Sequence, residues 1–213
     1  MRDLFSDLPA EPGSEAIGDG AVVLRGYANG MNLSAAVDRI HLAAPFRHMV
    51  TPNGHTMSVA MTNCGALGWV TSRAGYRYQP TDPDTGRPWP AIPEIFRSLA
   101  IGAAREAGYA GFQPDACLVN RYAPGTRLSL HQDRNERDMT SPIVSVSMGL
   151  PAVFLFGGST RRDKPLRIRV EHGDVVVWGG PTRLAFHGVA PLADGLHAEI
   201  GRCRINLTFR KAG

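Results

Sequence analysis

The run Leu128–Asp133, Leu-Ser-Leu-His-Gln-Asp, contains two residue types that bind metal ions. Leu128 and Leu130 alternate with Ser129, which predicts a strand. Residues two apart on a strand point to the same face, so His131 and Asp133 would project an imidazole and a carboxylate together. One further histidine would complete a 2-His-1-carboxylate triad, which leaves metal coordination positions open for reactants.

A second His-x-Asp, His172-Gly173-Asp174, offers the same pair of ligands. It lies between two strand-like runs, Leu166–Glu171 and Val175–Trp178. Its Gly-Asp is typical of a hairpin turn, where side chains are not held on one pleated face. The pattern favours the first copy, but these residues alone leave the choice open.

Three other predicted strands carry polar side chains at alternate positions, which share one face. They are Arg204, Asn206, Thr208 and Arg210 in one strand, Leu118, Asn120 and Tyr122 in another, and His187 at the end of a third. The arginine face could simply be exposed to solvent. If it instead looks into a barrel, its buried guanidinium groups need partners, and a dicarboxylate ligand would supply them.

Residues 46–90 interleave large apolar side chains with arginines. The apolar set is Met49, Met57, Met61, Trp69, Tyr76, Tyr78 and Trp89, and the cations are Arg47, Arg73, Arg77 and Arg87. Aromatic rings among cations suit a surface that stacks bases and holds phosphates. The alternative is a small hydrophobic cluster under a long loop, which composition alone would favour.

Hydrophobic periodicity predicts mainly β structure with flanking helices. Residues 1–19 are predicted to be a loose tail, Ala21–Arg25 a strand, and Pro52-Asn53-Gly54 a hairpin turn. Helical spacing covers Leu33–Ala44 and Ile92–Ala107. Eight short runs then predict a sandwich or jelly roll. These runs are Ala116–Tyr122, Leu128–Gln132, Ile143–Leu150, Val153–Phe156, Leu166–Val170, Val175–Trp178, Leu184–His187 and Cys203–Phe209.

Length and composition predict a single soluble domain that acts as a monomer in the cytoplasm. The chain has 213 residues, 43% of them apolar, and three widely spaced cysteines without a CxxC pair. We therefore expect neither a disulfide framework nor a zinc finger, and no signal or membrane-spanning segment. The formal charge of +4 is compatible with an anionic partner but does not require one.

Taken together, these motifs resemble the AlkB family of Fe(II)- and 2-oxoglutarate-dependent dioxygenases. The resemblance consists of His131-x-Asp133, then His187 after 53 intervening residues, then Arg204-x-Asn206-x-Thr208-x-Arg210. Three further segments are similar to the family: Asn120-Arg121-Tyr122, Met57–Gly68 and Glu171–Gly180. The likeness extends over nearly all of residues 20–210.

The resemblance implies a double-stranded β-helix, or jelly roll, over residues 111–213. Residues 20–110 would supply the N-terminal helices and a nucleotide-recognition lid. His131, Asp133 and His187 would bind Fe(II) as the catalytic centre. Arg204 would pair with the far carboxylate of the cosubstrate 2-oxoglutarate, helped by Asn120 and Tyr122, with Leu118 on the same face. Arg210 and Asn206 would lie near the metal-bound carboxylate, and O2 would take the open position.

The resemblance also implies the substrate and its contacts. The reaction would be oxidative demethylation of 1-methyladenine or 3-methylcytosine in single-stranded DNA, or in RNA, with release of formaldehyde, succinate and CO2. Trp69 would stack on the flipped base opposite His131. Tyr76 and Thr51 would touch the phosphate backbone, Met61 would line the pocket, and Arg161 would add phosphate or base contacts.

One position departs from the family pattern. The bacterial members that the chain resembles have an acidic residue two positions after the aspartate ligand, where this chain has Asn135. A carboxylate there would favour a cationic methylated base, and an amide carries no charge. Glu136 is adjacent, but on a continuing strand it would face the other way.

Three other functions fit parts of the pattern. An oxygenase acting on protein, lipid or a small molecule would use the same triad and Arg204, but it would not need Trp69, Tyr76 and the basic segment around them. A zinc-dependent jelly-roll hydrolase or isomerase would leave Arg204 and Arg210 unexplained. A non-catalytic nucleic-acid-binding module would not need a complete triad.

Overall fold

The computed structural model describes residues 13–213, and two packed β-sheets dominate it. The strands of the described residues are β1 (Gly13–Gly18), β2 (Ala21–Arg25), β3 (Arg47–Val50), β4 (Thr56–Gly65), β5 (Gly68–Ser72), β6 (Gly75–Gln79), β7 (Ala116–Tyr122), β8 (Leu128–His131), β9 (Ile143–Gly149), β10 (Ala152–Phe156), β11 (Leu166–Val170), β12 (Val175–Trp178), β13 (His187–Val189) and β14 (Arg204–Arg210). Strands β5 and β6 form a separate two-stranded sheet. The helices are α1 (Ser34–Ala43) and α2 (Glu94–Glu106), with a short 3-10 turn at Gly180–Thr182.

The strands form a jelly roll, as the sequence predicts. The larger sheet has eight strands in the order β1-β2-β12-β9-β14-β7-β4-β3, and the smaller has the order β11-β10-β13-β8. All paired neighbours run antiparallel. The smaller sheet packs over the middle of the larger one, and the strands that carry the predicted site residues lie in both.

Two apolar clusters stabilise this arrangement by removing side chains from water. One joins α1 and α2 to the outer face of the larger sheet, through residues such as Ile40, Phe96 and Phe209. The other fills the space between the sheets, with Phe154, Phe156 and Trp178 among its members. Strand β14 is therefore buried on both faces, and its arginines do not form a solvent face as one interpretation of the sequence allowed.

The first described segment corrects one prediction. Residues 13–18 were expected to belong to a loose tail, but they form β1 and pair with β2 from Gly13↔Arg25 to Gly18↔Ala21. An ion pair between Arg25 and Glu15 links the two strands. The expectation for residues 1–12 lies outside the described residues.

The segment 46–90 is more regular than predicted. The Asn-Gly hairpin turn is confirmed, and Gly54 has a φ of +82°, which glycine adopts without strain. However, residues 62–65 continue β4 instead of forming a loop, and residues 68–79 form the β5–β6 hairpin. The family resemblance places the lid in residues 20–110 and the jelly roll in residues 111–213. Strand β4 of the first part pairs with β7 of the second, so strands from both parts share the larger sheet.

Candidate active site

His131 and His187 meet because they are direct partners across β8 and β13. Their ring centroids lie 4.4 Å apart. Gly188 follows His187, and a Cβ there would lie 2.6 Å from the Leu128 carbonyl oxygen, so glycine permits this close strand approach. Together with Asp133, the two imidazoles place three possible ligand atoms within 4.8 Å of one another.

Each histidine is oriented so that Nε2 remains free for a metal. Nδ1 lies 2.8 Å from the Ser129 carbonyl in His131 and 3.0 Å from the Ala185 carbonyl in His187. A carbonyl oxygen only accepts, so Nδ1 carries the proton and Nε2 keeps its lone pair. Burial, and then the neighbouring His131, lower the pKa of His187 to about 4, so this ligand is neutral near pH 7.

Arg210 fixes the third ligand. Its Nε and Nη2 both donate to Oδ2 of Asp133, at 2.8 and 2.5 Å. Burial opposes ionisation of this carboxyl, but Arg210 and then His187 and His131 hold the pKa of Asp133 well below its usual range. Asp133 is therefore a carboxylate, and its Oδ1 faces His131 Nε2 at 3.6 Å.

The loop after β8, not the strand itself, positions Asp133. The predicted strand extended to residue 132 or 133, but β8 ends at His131. Gln132 Nε2 donates to the Leu184 carbonyl at 2.6 Å, and Arg183 Nη1 donates to the Asp133 carbonyl at 2.8 Å. The predicted strand 184–187 likewise begins only at His187, and the carbonyls of Leu184 and Ala185 bind Gln132 and His187 instead of a neighbouring strand.

The predicted cosubstrate residues lie opposite one another in β7 and β14. The register pairs Arg204 with Tyr122, Asn206 with Asn120 and Thr208 with Leu118. Arg204 is 2% exposed, and its guanidinium lies 5.2 Å over the Tyr122 ring. Its Nη2 donates to Ser147 Oγ at 3.0 Å, whereas Nε and Nη1 are buried without a partner among the described residues. Burial lowers the pKa of Arg204, because none of the described residues places a carboxylate beside this cation to offset the loss of water.

Asn206 and Arg210 form more hydrogen bonds with other residues of the chain than the sequence suggested. Asn206 Nδ2 donates to Ser145 Oγ at 2.7 Å and to the Val146 carbonyl at 3.0 Å. Thr208 Oγ1 donates to Asn206 Oδ1 at 2.8 Å. Arg210 contacts the carboxylate of Asp133. Both residues line the cavity, and both organise the groups that face it.

The mouth of the cavity is aromatic and cationic. Trp69 and Tyr76 stack across the β5–β6 hairpin, with ring centroids 5.5 Å apart and planes at 16°. On the opposite rim, the Arg161 guanidinium lies 5.2 Å over the Phe186 ring. Thr51 follows β3, Met61 is buried in β4, and Asn135 is exposed beside the metal ligands.

These groups line one cavity of about 600 Å³. It brings together every site residue predicted from the sequence, from the metal ligands to the mouth. The members are Thr51, Met61, Trp69, Tyr76, Leu118, Asn120, Tyr122, His131, Asp133, Asn135, Arg161, His187, Arg204, Asn206 and Arg210. Tyr76 in its lining is 46% exposed, whereas the lining residues of β14 are buried, so the cavity leads from solvent to the buried face of β14.

Several residues of this cavity were not predicted from the sequence. Trp178 packs 4.9 Å from the His187 ring, and Phe154 lies 6.2 Å from it. Ser145 faces Asn206, while Arg127 and Gln132 lie nearer the mouth. Trp178 and Phe154 were assigned to strands but not to the site, since apolar residues on a strand do not reveal which cavity they border.

The second His-x-Asp is structural. Asp174 accepts from Arg25 Nη1 at 2.8 Å and from the Gly26 amide at 2.9 Å, which closes the turn against β2. His172 Nδ1 accepts from the Gly149 amide at 3.1 Å. Both side chains therefore already have partners, and they do not converge on the cavity.

The profile of the 2OG-Fe(II) oxygenase superfamily matches residues 20–210. A protein named alpha-ketoglutarate-dependent dioxygenase AlkB, from Escherichia coli strain K12, is 57% identical over 215 residues, covering 100% of this chain and 99% of the relative. This chain belongs to the AlkB family of Fe(II)- and 2-oxoglutarate-dependent dioxygenases. The resemblance noted in the sequence is therefore confirmed, and the protein is an oxidoreductase that uses Fe(II), 2-oxoglutarate and O2.

Other members of the AlkB family extend the comparison. The protein named tRNA demethylase abh1, from Schizosaccharomyces pombe, is 36% identical over 125 residues, which span 58% of this chain and 41% of the relative. The solved structure described as that of OsALKBH1 superimposes with a TM-score of 0.81 at 28% identity, covering 93% of this chain and 100% of the other.

The residues present fit the AlkB family cofactors. Two imidazoles and one carboxylate are the donor set of Fe(II) oxygenases that keep coordination positions open. The unpartnered Nε and Nη1 of Arg204, deep in the same cavity, match a carboxylate that can accept from both. A dicarboxylate could therefore bind the metal with one end and accept hydrogen bonds from Arg204 with the other.

Proposed function

We propose that this enzyme oxidatively demethylates N-alkylated bases in single-stranded nucleic acid, with 1-methyladenine and 3-methylcytosine as the main substrate types. The observation that carries the proposal is the Trp69–Tyr76 pair at the mouth of the metal cavity. Aromatic faces bind unstacked bases, and cations such as Arg161 and Arg127 suit a phosphate backbone. The relative from S. pombe, named as a tRNA demethylase, supports a nucleic-acid substrate.

The mouth would hold a base that has been turned out of its strand. Trp69 would offer one ring face and His131 would lie on the opposite side of the base, with Met61 as an apolar wall; all three line the cavity. Tyr76 is 46% exposed, so its hydroxyl is accessible to a backbone phosphate, and Thr51 lies nearby. A base methylated on its pairing edge pairs poorly, which lowers the cost of extrusion.

The interior would hold 2-oxoglutarate. We assign its far carboxylate to Arg204, with Tyr122 packed against that guanidinium, and its other end to His131, Asp133 and His187. Asn120, Asn206 and Leu118 form the wall between the two ends. Arg210 keeps Asp133 ionised and oriented, as its two hydrogen bonds to Oδ2 indicate.

Fe(II) held by His131, Asp133 and His187 would, with O2 and 2-oxoglutarate, supply the oxidation that inserts one oxygen atom into a C–H bond of the N-methyl group and leaves succinate and CO2. The residues that line the cavity would hold the methyl carbon in position and exclude bulk water from it. Trp178 and Phe154 close the side of His187, which restricts access other than through the mouth. The resulting N-hydroxymethyl group then breaks its C–N bond, releasing formaldehyde and the unmodified base.

We further propose that the enzyme acts as a cytoplasmic monomer. The cavity already holds every metal-ligand and cosubstrate residue predicted from the sequence, so the proposed site needs no residue from a second copy. Cys64 and Cys117 are direct partners across β4 and β7 yet are free thiols, which suits a reducing compartment. No helix in residues 13–213 is long and apolar enough to cross a membrane.

The experiment that tests this function measures succinate and formaldehyde with Fe(II), 2-oxoglutarate and a single-stranded oligonucleotide carrying one 1-methyladenine. We expect both products in equal amounts, and little succinate with the same oligonucleotide unmethylated. Equal succinate release with both oligonucleotides would favour an oxygenase that acts on a protein or a small molecule. No succinate under any condition would contradict the proposal.

A further inference from the structure

Glu136 is a buried carboxylate to which neither the family resemblance nor the proposed reaction assigns a role. Its side chain is 2% exposed. Three groups surround it: the Tyr78 hydroxyl, which donates to Oε1 at 2.7 Å, Arg210 Nε at 3.3 Å and Arg183 Nη2 at 3.3 Å. On a continuing strand Glu136 would face away from the site, but β8 ends at His131 and Glu136 turns inward.

Both arginines that pair with Glu136 also hold Asp133. Arg210 donates twice to the carboxylate of Asp133, and Arg183 donates to its backbone carbonyl at 2.8 Å. Arg183 Nε in turn donates to the Ser141 carbonyl at 3.0 Å, which ties the guanidinium to the end of the loop. Two carboxylates thus face two guanidinium groups, and removal of either charge on Glu136 or Asp133 would leave a buried cation underpaired.

Tyr78 connects this network to the mouth. It lies in β6, is the direct partner of Trp69 in β5, and follows Tyr76 by two residues. Its side chain is half-buried, and removal from water raises the pKa of its hydroxyl well above the usual value, so the hydroxyl remains a donor. The hairpin that carries Trp69 and Tyr76 is therefore joined to the partners of Asp133 through one hydrogen bond to a carboxylate.

We propose that Tyr78 and Glu136 are positioning residues that couple the base-stacking hairpin to the metal ligand Asp133. Glu136 sets Arg183 and Arg210, which together fix the carbonyl and the carboxylate of Asp133. Tyr78 fixes the position of Trp69 and Tyr76 relative to the metal ligands. The second half of the proposal rests on the nucleic-acid function proposed above, whereas the first half depends only on the metal site.

The hairpin half is tested with Tyr78→Phe, which keeps the ring and removes the hydroxyl. We expect KM for the methylated oligonucleotide to rise roughly tenfold, the lower end of what a hydrogen bond to a charged group contributes. KM for 2-oxoglutarate should rise much less. Tyr109→Phe is the matched control, because its hydroxyl also makes a single 2.7 Å hydrogen bond, to the Gly20 carbonyl away from the site.

The metal half is tested with Glu136→Gln, which keeps the size and removes the charge. We expect affinity for Fe(II), measured anaerobically by competition with a chelator, to fall about 10- to 100-fold, the range for groups that orient metal ligands. Glu199→Gln, at an exposed carboxylate that accepts from Ser34, is the control and should bind Fe(II) as the wild type does.

The double variant Tyr78→Phe/Glu136→Gln shows whether Tyr78 and Glu136 act through the hydrogen bond between them. We expect its KM for the oligonucleotide to be lower than the product of the two single effects, as for residues in one network. The proposal is overturned if Tyr78→Phe matches Tyr109→Phe in KM, or if Glu136→Gln folds and binds Fe(II) as tightly as the wild type. If Glu136→Gln fails to fold, the comparison of the two tyrosine variants alone decides.

The failure of this inference differs from failure of the proposed function. A wild type without any methyl-dependent succinate release would contradict the nucleic-acid function, while the effect of Glu136→Gln on Fe(II) affinity would still support the metal half. A wild type that demethylates normally, with both variants unaffected, would contradict the coupling alone.

Discussion

At the scale of single residues, the site is defined by the atoms that the protein leaves free. The Nδ1 atoms of His131 and His187 donate to backbone carbonyls, and Oδ2 of Asp133 accepts from Arg210. What remains is one Nε2 on each histidine and Oδ1 on the aspartate. Deeper in the cavity, Arg204 keeps Nε and Nη1 unpartnered among the described residues.

The first prediction concerns the metal ligands. His131→Ala, Asp133→Ala and His187→Ala should each abolish Fe(II) binding and succinate release while the fold survives, because each removes one of three ligands. His172→Ala should retain most activity, since His172 accepts from the Gly149 amide and stacks on His197, away from the cavity. Metal titration of the four variants checks this, and loss of binding in His172→Ala but not in His131→Ala would mean that the other His-x-Asp is the site.

The second prediction concerns Arg204. Arg204→Ala should raise KM for 2-oxoglutarate tenfold or more, since a charge-assisted bidentate pair contributes about 1.5–3 kcal/mol. KM for the oligonucleotide should change far less. Arg202→Ala is the control, because that side chain is 66% exposed and pairs with Asp194. An unchanged requirement for 2-oxoglutarate would remove Arg204 from the cosubstrate site.

The third prediction concerns Asn135, which is exposed and lines the cavity. 1-methyladenine and 3-methylcytosine are cationic, and a carboxylate near the base would stabilise their charge more than an amide does. Asn135→Asp should therefore raise the ratio of kcat/KM for 1-methyladenine over neutral 3-methylthymine in matched oligonucleotides, without a change in KM for 2-oxoglutarate. A constant or lower ratio would mean that residue 135 does not contact the base.

At the scale of elements, short strands hold the chemistry and a separate hairpin covers it. The pairing of β8 with β13 brings the histidines together, and the pairing of β7 with β14 brings Arg204 to Tyr122. The β5–β6 hairpin depends on Asn63, whose side chain donates to the Trp69 carbonyl at 3.0 Å and accepts from the Trp69 amide at 2.9 Å. Its backbone is thus fixed independently of the Trp69 indole.

The fourth prediction follows from that independence. Trp69→Ala should weaken binding of a methylated single strand by about 1–3 kcal/mol, the usual contribution of stacking between a base and an aromatic ring. The hairpin should persist, because Asn63 contacts only the backbone of residue 69. Binding and thermal unfolding are measured together, with Trp69→Phe expected to retain part of the affinity. Unfolding of Trp69→Ala would instead make Trp69 a core residue.

At the scale of the whole molecule, the cavity exists only when the two sheets pack together. His131, His187 and Arg204 come from three strands, and Asp133 comes from a loop. These residues are far apart in the unfolded chain, so metal and cosubstrate bind the native state selectively. Folding and binding are therefore linked, and the ligands should stabilise the protein.

The fifth prediction is a pair of thermal shifts. At 100 times its Kd, Fe(II) under anaerobic conditions should stabilise the wild type by about 2.7 kcal/mol, and 2-oxoglutarate should add a further increment. For a chain of this size the first step corresponds to roughly 5–10 °C in Tm. Arg204→Ala should keep the metal shift and lose most of the second. A normal 2-oxoglutarate shift in Arg204→Ala would contradict the assigned cosubstrate site.

Sequence periodicity was sufficient for most of the fold. Both helices, the Asn-Gly hairpin and the jelly-roll strands appear within a few residues of their predicted bounds. These elements depend on local signals: amphipathic spacing, alternation, and glycine or proline at the ends. Alternation also predicted that Arg204, Asn206 and Arg210 share a face, because a strand fixes side-chain direction with a period of two.

Local signals failed where a partner distant in sequence decides the structure. β1 exists because it pairs with β2, and β5–β6 is stabilised by Asn63. Asp133 and Glu136 lie beyond the end of β8, where alternation no longer applies. Their directions are set by Arg183, Arg210 and Tyr78, which come from three other parts of the chain.

The sequence by itself determined the donor set, the strand faces and, through the combined motif, the family. Only the tertiary structure decided that β14 is buried on both faces, that Arg204 keeps unpartnered atoms, and that Glu136 turns inward beside Asp133. The physical reason is that burial and pairing of charge depend on which distant groups meet. A guanidinium is an exposed cation or a ligand-binding group according to the sheet that covers it.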